Sequence, residues 1–352
     1  MTVLEDVARM RLISQRLIQP LNTPTDVVRH MTCTQGQDLP GSTCSIALRT
    51  TSRSLAEVHE AYNQGLIVRS WPMRGTLFAV AAEDLGWMLE FTAPKIIHST
   101  KRRREQLGLD DPQIELAEAI AREALESGPL TRAELMHEWT KGGHNIDGGR
   151  GYHSIFLLAV KNVICLGPFQ GKEQCFVLSQ DWINPQRALG AEETVREWLT
   201  RYIVSHGPVP LADFLWWTKL LKRDIADIAG TLRDEFETFT VNGREHWVWP
   251  QVLDEYADLR RKTTAPMLLP GFDEIVLGYG DRSAVATKGQ EKQIVPGSNG
   301  VFRPTIVQAG KALGTWKKPT HKNAPVSVTP FADALPAAIV NALPALTQAL
   351  PK

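Results

Sequence analysis

The most constraining feature of the sequence is one order of predicted elements that recurs along the chain. Two segments each run from a helix through a Gly-Pro break to two more helices and a β-hairpin, with breaks at Gly128-Pro129 and Gly207-Pro208. Gly-Pro ends a helix because glycine adopts non-helical conformations easily and proline has no N–H to donate. The first third of the chain also places helices before a hairpin, at residues 66–81. This is the order of a winged helix, so we predict an α+β protein of tandem winged-helix units (helix-turn-helix plus β-hairpin).

The repeats divide the chain into four predicted parts. Winged-helix units are expected at residues 1–107, 108–187 and 188–262. Residues 263–352 contain short β-type runs separated by Gly and Pro, which predict a small β-rich C-terminal domain ending in an alanine- and proline-rich helix. In the first unit, the helical patterns cover residues 3–18, 24–35, 42–50 and 54–65.

Composition argues against several classes of protein. The sequence has neither the roughly eighteen uninterrupted apolar residues of a membrane span nor the apolar region of a signal peptide, so a cytoplasmic protein without a membrane partner is expected. The four cysteines form no C-x-x-C pair, and the nine histidines have no ligand spacing, so no metal is expected. A Walker A motif and a G-x-G-x-x-G motif are both missing, so we expect no nucleotide cofactor and no other cofactor.

Because acidic and basic residues balance, any nucleic-acid site must be a basic region confined to one part of the protein surface. Lysine plus arginine equals aspartate plus glutamate at 39 each, so binding to phosphates would need one basic face. The clearest basic run is Lys101, Arg102, Arg103 and Arg104. A lone run of this kind is ordinarily a solvated helix end, and it becomes a candidate DNA contact only if the surrounding fold binds DNA.

Four stretches of the sequence resemble a known family, the winged-helix proteins of the AlkZ/YcaQ type. They are TQGQDLPG at 34–41, VRSWPMRGTLFAVAAEDL at 68–85, LLPGFDEIVLGYGDRS at 268–283 and NGVFRPTIVQAGKALGTW at 299–316. Some members are bacterial DNA glycosylases that excise alkylated purines and unhook interstrand crosslinks. The resemblance implies tandem winged helices around a concave DNA-binding face, and a hydrolase that acts in the repair of DNA damage.

The same resemblance assigns catalysis to a Gln-x-Gln or Gln-x-Asp pair, which corresponds here to Gln35 and Gln37. The sequence departs from the family pattern at two positions. Gly36 stands where the family usually has a hydrophobic residue, and Phe78 stands where the pattern T-L-H often has a histidine. Both departures bear on activity more than on fold.

Two glutamines can be enough for this reaction because the leaving group is already activated. A purine alkylated at N7 or N3 is cationic, so it departs without an acid to protonate it. The remaining tasks are to stabilise an oxocarbenium-like sugar and to place a water at its anomeric carbon. A carboxamide oxygen accepts a hydrogen bond from that water and directs negative charge toward the sugar.

Geometry sets a condition on the glutamine pair. Residues two apart share one side of an extended chain but lie about 200° apart on a helix, so Gln35 and Gln37 converge only if the predicted helix 24–35 breaks. Without the family resemblance, both would be interpreted as exposed polar residues at a helix end. Asp38 is the alternative general base because it alone in this segment ionises. Asp38 has two structural interpretations as well, as a cap for the helix near Ser42 or as a partner for Arg49.

Further DNA contacts are predicted outside the glutamine segment. Arg69 and Arg74 lie on either side of Trp71-Pro72 and are candidate phosphate contacts. Trp71 either stacks on a base or packs in the core. Lys161, at the third helix of the second unit, is another phosphate candidate.

A second polar group falls in the third family-like stretch. Asp273, Glu274 and Arg282 are expected to form a structural network rather than a catalytic dyad, since adjacent Asp and Glu side chains usually point apart.

Two functions from different classes fit these features. The first is a monofunctional DNA glycosylase acting on alkylated purines in double-stranded DNA. The second is a non-catalytic winged-helix protein, either a regulator or a damage binder. A regulator usually dimerises to match a two-fold operator, whereas three winged units in one chain favour a monomer around one lesion, and therefore the enzyme.

Overall fold

The computed structural model describes residues 3–298, 300–318, 321 and 324–352. Asn299, the first residue of the fourth family-like stretch, lies outside the described residues.

Helices and strands alternate along the described chain. The α-helices, in chain order, are α1 Leu4–Ser14, α2 Pro24–Met31, α3 Leu39–Leu48, α4 Leu55–Asn63, α5 Leu85–Ser99, α6 Lys101–Leu107, α7 Asp111–Glu126, α8 Arg132–Lys141, α9 Arg150–Val160, α10 Ser179–Trp182, α11 Ala191–His206, α12 Leu211–Thr218, α13 Lys222–Leu232, α14 Pro250–Leu259, α15 Glu274–Leu277, α16 Lys288–Ile294 and α17 Ala337–Gln348. The strands are β1 Cys33–Gln35, β2 Ile67–Met73, β3 Thr76–Ala81, β4 Ile164–Gln170, β5 Glu173–Leu178, β6 Glu237–Val241, β7 Arg244–Val248, β8 Met267–Leu269, β9 Thr305–Gln308, β10 Lys311–Lys317 and β11 Ser327–Pro330. The predicted α+β class is confirmed.

The chain divides into two compact units. Unit 1 combines Met1–Val58 with Val195–Lys352, and unit 2 is the intervening segment His59–Thr194. The predicted division into four successive parts was based on repeats along the sequence. The two units are defined by contacts in space, so they do not test that division, and it remains a prediction.

Unit 2 contains two antiparallel hairpins whose strands lie in the order β3-β2-β4-β5. Residue Arg69 of β2 pairs with Leu166 of β4 where the hairpins meet. A buried core joins α7, α8 and α9 to this sheet, with Trp139 and Phe156 among its largest side chains. Apolar burial on this scale is the main stabilising contribution to such a unit.

Unit 1 is built around several apolar clusters and two antiparallel sheets. The hairpin β6–β7 forms one sheet, and four strands in the order β11-β10-β9-β8 form the other. Leu12 of α1 and Leu48 of α3 pack with Ile275 and Val307 in one buried cluster. This packing joins the N-terminal helices to the C-terminal part of the chain.

The three predicted hairpins are present. Their turns use residues with positive φ, namely Arg74-Gly75, Gly171 and Asn242-Gly243. A two-residue turn with positive φ at both positions matches the right-handed twist of the strands it joins.

Several element boundaries differ from the predictions. The helix expected at 24–35 ends at Met31, and the helix expected at 42–50 begins at Leu39. Glu274–Leu277, expected as a β run, is a short helix because the Asp273 side chain accepts a hydrogen bond from the N–H of Ile275 and caps it.

Candidate active site

The two glutamines lie between α2 and α3. Helix α2 begins at Pro24 after its cap residue Thr23, and it ends at Met31. Thr32 then has φ 68° and ψ −52°, a strained conformation for a β-branched residue, which stops the helix. The next residues, Cys33–Gln35, are extended. An extended backbone brings side chains two positions apart to one side, as convergence of the glutamines requires.

The structure brings the side chains of Gln35 and Gln37 together. Nε2 of Gln35 donates a hydrogen bond to Oε1 of Gln37 across 2.8 Å. The backbone N–H of Gln37 donates to Oε1 of Gln35 across 2.5 Å. Gln35 is 5% exposed, whereas Gln37 is exposed. One amide is therefore fixed in the protein, and the amide that it orients faces solvent.

Glu274 holds the backbone of this segment. Its Oε1 accepts the N–H of Gln35 at 3.2 Å, and its Oε2 lies 3.6 Å from Nε2 of His206. Both side chains are completely buried. Glu274, at the start of helix α15, therefore contacts the backbone of Gln35 through its side chain.

Asp273, one residue earlier, belongs to a different network. Its carboxylate accepts hydrogen bonds from Nη1 of Arg49 at 2.8 Å, Nη2 of Arg49 at 3.0 Å and the Ser45 hydroxyl at 2.7 Å. Arg49 also donates to the backbone and side-chain oxygens of Gln15. Burial alone would raise the pKa of Asp273, but Arg49 and the hydrogen bonds bring that pKa below its ordinary value. Asp273 therefore lies in a structural network, but its cationic partner is Arg49 and not the predicted Arg282, which donates to the backbone oxygen of Val276.

Asp38 occupies the cap position of α3 but makes no side-chain capping hydrogen bond. Its carboxylate folds toward Gly41, where a Cβ would lie 2.6 Å from Oδ2. The interpretation of Asp38 as a partner of Arg49 is wrong, because Arg49 binds Asp273. Its role as the general base remains a prediction.

The candidate contacts of the first hairpin lie in unit 2. Trp71 is 3% exposed and packs edge to face on Phe156, with 6.0 Å between ring centroids. Its prediction as a DNA contact is wrong, because an enclosed ring has no face to offer a base. The Arg74 guanidinium lies 5.1 Å from the centroid of the buried Phe78 ring, at the hairpin turn. Arg69 is partly buried, and its Nε and Nη1 have no hydrogen-bond partner among the described residues.

The predicted basic run forms helix α6. Lys101, Arg102 and Arg103 are exposed, whereas Arg104 is partly buried and lies 3.5 Å from Asp111. Three neighbouring cations therefore face solvent in unit 2, and their role as DNA contacts remains a prediction.

Lys161 follows α9 and is already paired. Its Nζ donates to Oε2 of Glu118 across 2.5 Å, and Glu118 also binds Arg122. Helix α9 is buried along almost its whole length, so it does not offer an open face to a DNA groove. A phosphate contact by Lys161 would have to displace Glu118.

Sequence reasoning missed the contact of Glu274 with Gln35, and it missed His206, which lies against Glu274. Glu274 lies in the family-like stretch 268–283, which was the available signal, although it was assigned to a structural network. No sequence signal identified His206, because the contact depends on chain segments far apart in the sequence.

Among the described residues, no group of His, Cys, Asp and Glu side chains is placed to hold a metal ion. No described helix combines the length and apolarity that crossing a membrane requires.

Residues 28–351 match the family described as DNA glycosylase AlkZ-like. The interstrand DNA cross-link repair glycosylase of Streptomyces sahachiroi is 26% identical over 341 residues, which cover 91% of this chain and 89% of that protein. The solved structure of Streptomyces sahachiroi DNA glycosylase AlkZ superimposes with a TM-score of 0.81 at 23% identity, covering 99% of this chain and 98% of that one. The structural likeness supports a common fold over nearly the whole chain.

Proposed function

The chain belongs to the AlkZ-like DNA glycosylase family, and from this premise we propose that it hydrolyses the N-glycosidic bond of purines alkylated at N7 or N3. It is a DNA glycosylase, and hence a hydrolase whose substrate is DNA. What we propose beyond this is the kind of damaged base that is removed and the residues that catalyse its removal.

The observation that carries the proposal is the bonded pair of Gln35 and Gln37. Neither amide titrates, so neither can act as an ordinary general base. Oε1 of Gln37 belongs to an exposed side chain whose direction is set by Gln35. A second lone pair on that oxygen remains to accept a hydrogen bond from water.

The proposed reaction has two parts. The cationic purine departs with the electrons of its C1′–N bond, leaving positive charge on the sugar. A water held by the Gln37 oxygen then adds to C1′ and releases its proton to solvent. Pre-positioned amide dipoles stabilise the developing charge without reorganising during the reaction.

Interstrand crosslinks are the proposed extension of this substrate class. The relative from Streptomyces sahachiroi is named as an interstrand DNA cross-link repair glycosylase. A crosslink formed through N7 or N3 leaves the same cationic purine and the same scissile bond. We therefore expect cleavage at one strand of such a crosslink.

Unit 2 offers cations for the DNA backbone. Arg69 is a proposed phosphate contact only through the part of its side chain that is not buried, since its Nε and Nη1 atoms are enclosed by the protein. The exposed cations of α6 would add sequence-independent attraction. We further propose that the enzyme acts as a monomer in the cytoplasm.

The decisive experiment is incubation with duplex DNA carrying one N7-methylguanine, followed by alkaline cleavage at any abasic site. The expected result is a strand break at the modified position. An unmodified duplex of the same sequence is the control. Binding to both duplexes without cleavage, repeated with an N3-methyladenine duplex, would contradict the proposal and favour a non-catalytic DNA binder.

A further inference from the structure

Glu274 is a buried carboxylate with few partners. Among the described residues, its Oε1 accepts one backbone N–H and its Oε2 accepts no hydrogen bond. Its neighbour Asp273 is equally buried but accepts from a guanidinium, a hydroxyl and a backbone N–H. A buried polar group whose hydrogen bonds are incomplete is destabilising, and an apolar side chain of similar volume would often be more stable at this position. Stability alone therefore does not explain a glutamate at this position.

Within the part of the chain that the structure describes, the one hydrogen bond that Glu274 accepts comes from the backbone of Gln35. The N–H of Gln35 lies 3.2 Å from its Oε1, and Gly36 follows directly in the chain. Glycine gives the backbone its greatest freedom, so a side-chain amide pair separated by glycine needs an external constraint. Glu274 supplies that constraint at the residue before Gly36.

The His206 ring lies against the other side of the carboxylate, with its Nε2 3.6 Å from Oε2 of Glu274. The Ser205 hydroxyl donates to the backbone oxygen of Arg201, so it accepts from Nδ1 of His206 at 2.8 Å, which leaves Nε2 facing Glu274. The imidazole is stacked on Tyr202 with 4.5 Å between ring centroids. The orientation of the His206 ring is thus fixed by both a hydrogen bond and packing.

Gly278 leaves room for the His206 ring to lie beside Glu274. A Cβ at this position would lie 2.9 Å from Nε2 of His206 and 2.7 Å from the backbone oxygen of Glu274. No side chain fits there, so the end of α15 is shaped to admit the imidazole beside Glu274.

We propose that Glu274 is a positioning residue for excision: by holding the Gln35 N–H, with His206 behind it, it keeps the Gln35 and Gln37 amides converged. The proposal rests on the proposed function of the glutamine pair. It assigns no contact with DNA or water to Glu274.

The test compares Glu274→Met with Glu274→Gln. Methionine has a similar volume but its thioether is only a weak acceptor for the Gln35 N–H, whereas the glutamine oxygen is a full acceptor. We expect Glu274→Met to lower the single-turnover excision rate about 10- to 100-fold, as for a misplaced reacting group. Its Kd for the DNA should be unchanged, and its Tm equal or higher. Glu274→Gln should retain most of the rate.

Two further variants separate positioning from a structural role. Adding Glu274→Met to Gln35→Ala should cause no further loss, because the glutamate acts through Gln35. Asp213→Asn is the matched control, since Asp213 is also buried in unit 1 and accepts the N–H groups of Gly280 and Asp281. Asp213→Asn should leave the excision rate of the folded enzyme unchanged.

Three results would overturn the proposal. They are a wild-type rate in Glu274→Met, equal losses in the Met and Gln variants, or a full additional loss in the Gln35→Ala background. If Glu274→Met does not fold, the amide proton resonance of Gln35 decides the question, since it must shift in Glu274→Gln and not in Asp213→Asn. Failure of the wild type to excise any alkylpurine contradicts the proposed function separately, and the Gln35 resonance still tests the contact.

Discussion

Gln35 bonds twice to Gln37, once to its side chain and once to its backbone. The Gln35 amide nitrogen donates to Oε1 of Gln37 at 2.8 Å, and the Gln35 amide oxygen accepts the Gln37 N–H at 2.5 Å. Both of these hydrogen bonds therefore use the side-chain amide of Gln35. The pair is therefore unequal, with Gln35 as the organiser and Gln37 as the group that meets solvent.

Replacing either glutamine should slow excision strongly. We expect Gln35→Ala and Gln37→Ala each to reduce the single-turnover rate by about one to three orders of magnitude, the effect of deleting one positioned polar group. Gln35→Ala should be the more severe, because it also frees Gln37. Neither change removes a charge, so the Kd for DNA should hardly change. Full activity of both variants would refute the assignment.

Asp38→Asn distinguishes a glutamine mechanism from a carboxylate base. If Gln37 holds the water, Asp38→Asn should keep most of the excision rate, and the wild-type rate should show no carboxylate titration at low pH. Fold stability should also be little affected, because Asp38 makes no capping hydrogen bond. A rate that disappears in Asp38→Asn while Gln37→Ala stays active would assign the base to Asp38.

Helix α6 predicts a salt-dependent contribution to DNA affinity. Arg102→Ala should weaken binding to any duplex sequence and reduce the slope of log K against log salt by about one, if Arg102 binds one phosphate. The slope is measured by fluorescence anisotropy across a salt series. Lys288→Ala, which removes an exposed lysine of α16, is the control and should leave the slope unchanged. Identical slopes for Arg102→Ala and wild type would exclude α6 from the interface.

The Arg49–Asp273 pair should stabilise unit 1. Arg49→Met leaves Asp273 buried without its cation, and breaking such a pair costs about 3–5 kcal/mol of unfolding free energy. Adding Asp273→Leu should recover much of that loss, because both charges are then gone. Urea unfolding of the single and double variants measures both effects. A single variant as stable as wild type would contradict the structural role.

His30 should make the fold sensitive to acid. Its Nε2 donates to the backbone oxygen of Ser14 at 2.7 Å, and burial lowers the pKa of His30 from 6.5 to about 4. The unfolded chain binds a proton in the interval where the folded chain does not, so this stability is fully present above pH 6.5 and is lost as the pH falls toward 4. Between pH 7 and 4.5, wild type should lose about 2 kcal/mol more than His30→Gln, which keeps a donor. Parallel pH profiles of unfolding free energy would contradict this.

Sequence reasoning succeeded where the signal is local. Gly128-Pro129 and Gly207-Pro208 follow the ends of α7 and α11, and Asn242-Gly243 forms the turn of its hairpin. These features depend on the backbone preferences of the residues themselves. The order of helices and hairpins was predictable for this reason.

Sequence reasoning failed where the outcome depends on distant packing. Trp71 has the residue type of a DNA contact but is buried against Phe156, and Lys161, still a predicted phosphate contact, is paired with Glu118. The contact of Glu274 with Gln35 joins residues 239 positions apart. A single sequence contains no pattern that predicts which side chain is buried by a distant segment, or which distant residue it contacts.

The discontinuity of unit 1 has a consequence for synthesis on the ribosome. Unit 2 is one unbroken segment, but unit 1 needs residues from both Met1–Val58 and Val195–Lys352. A nascent chain that carries Gln35 and Gln37 lacks Glu274, and Asp273 as the partner of Arg49, until translation has passed residue 274. The glutamine segment is therefore made early and receives its buried contacts late, so a chain that ends before residue 273 lacks the hydrogen bonds that Asp273 and Glu274 accept.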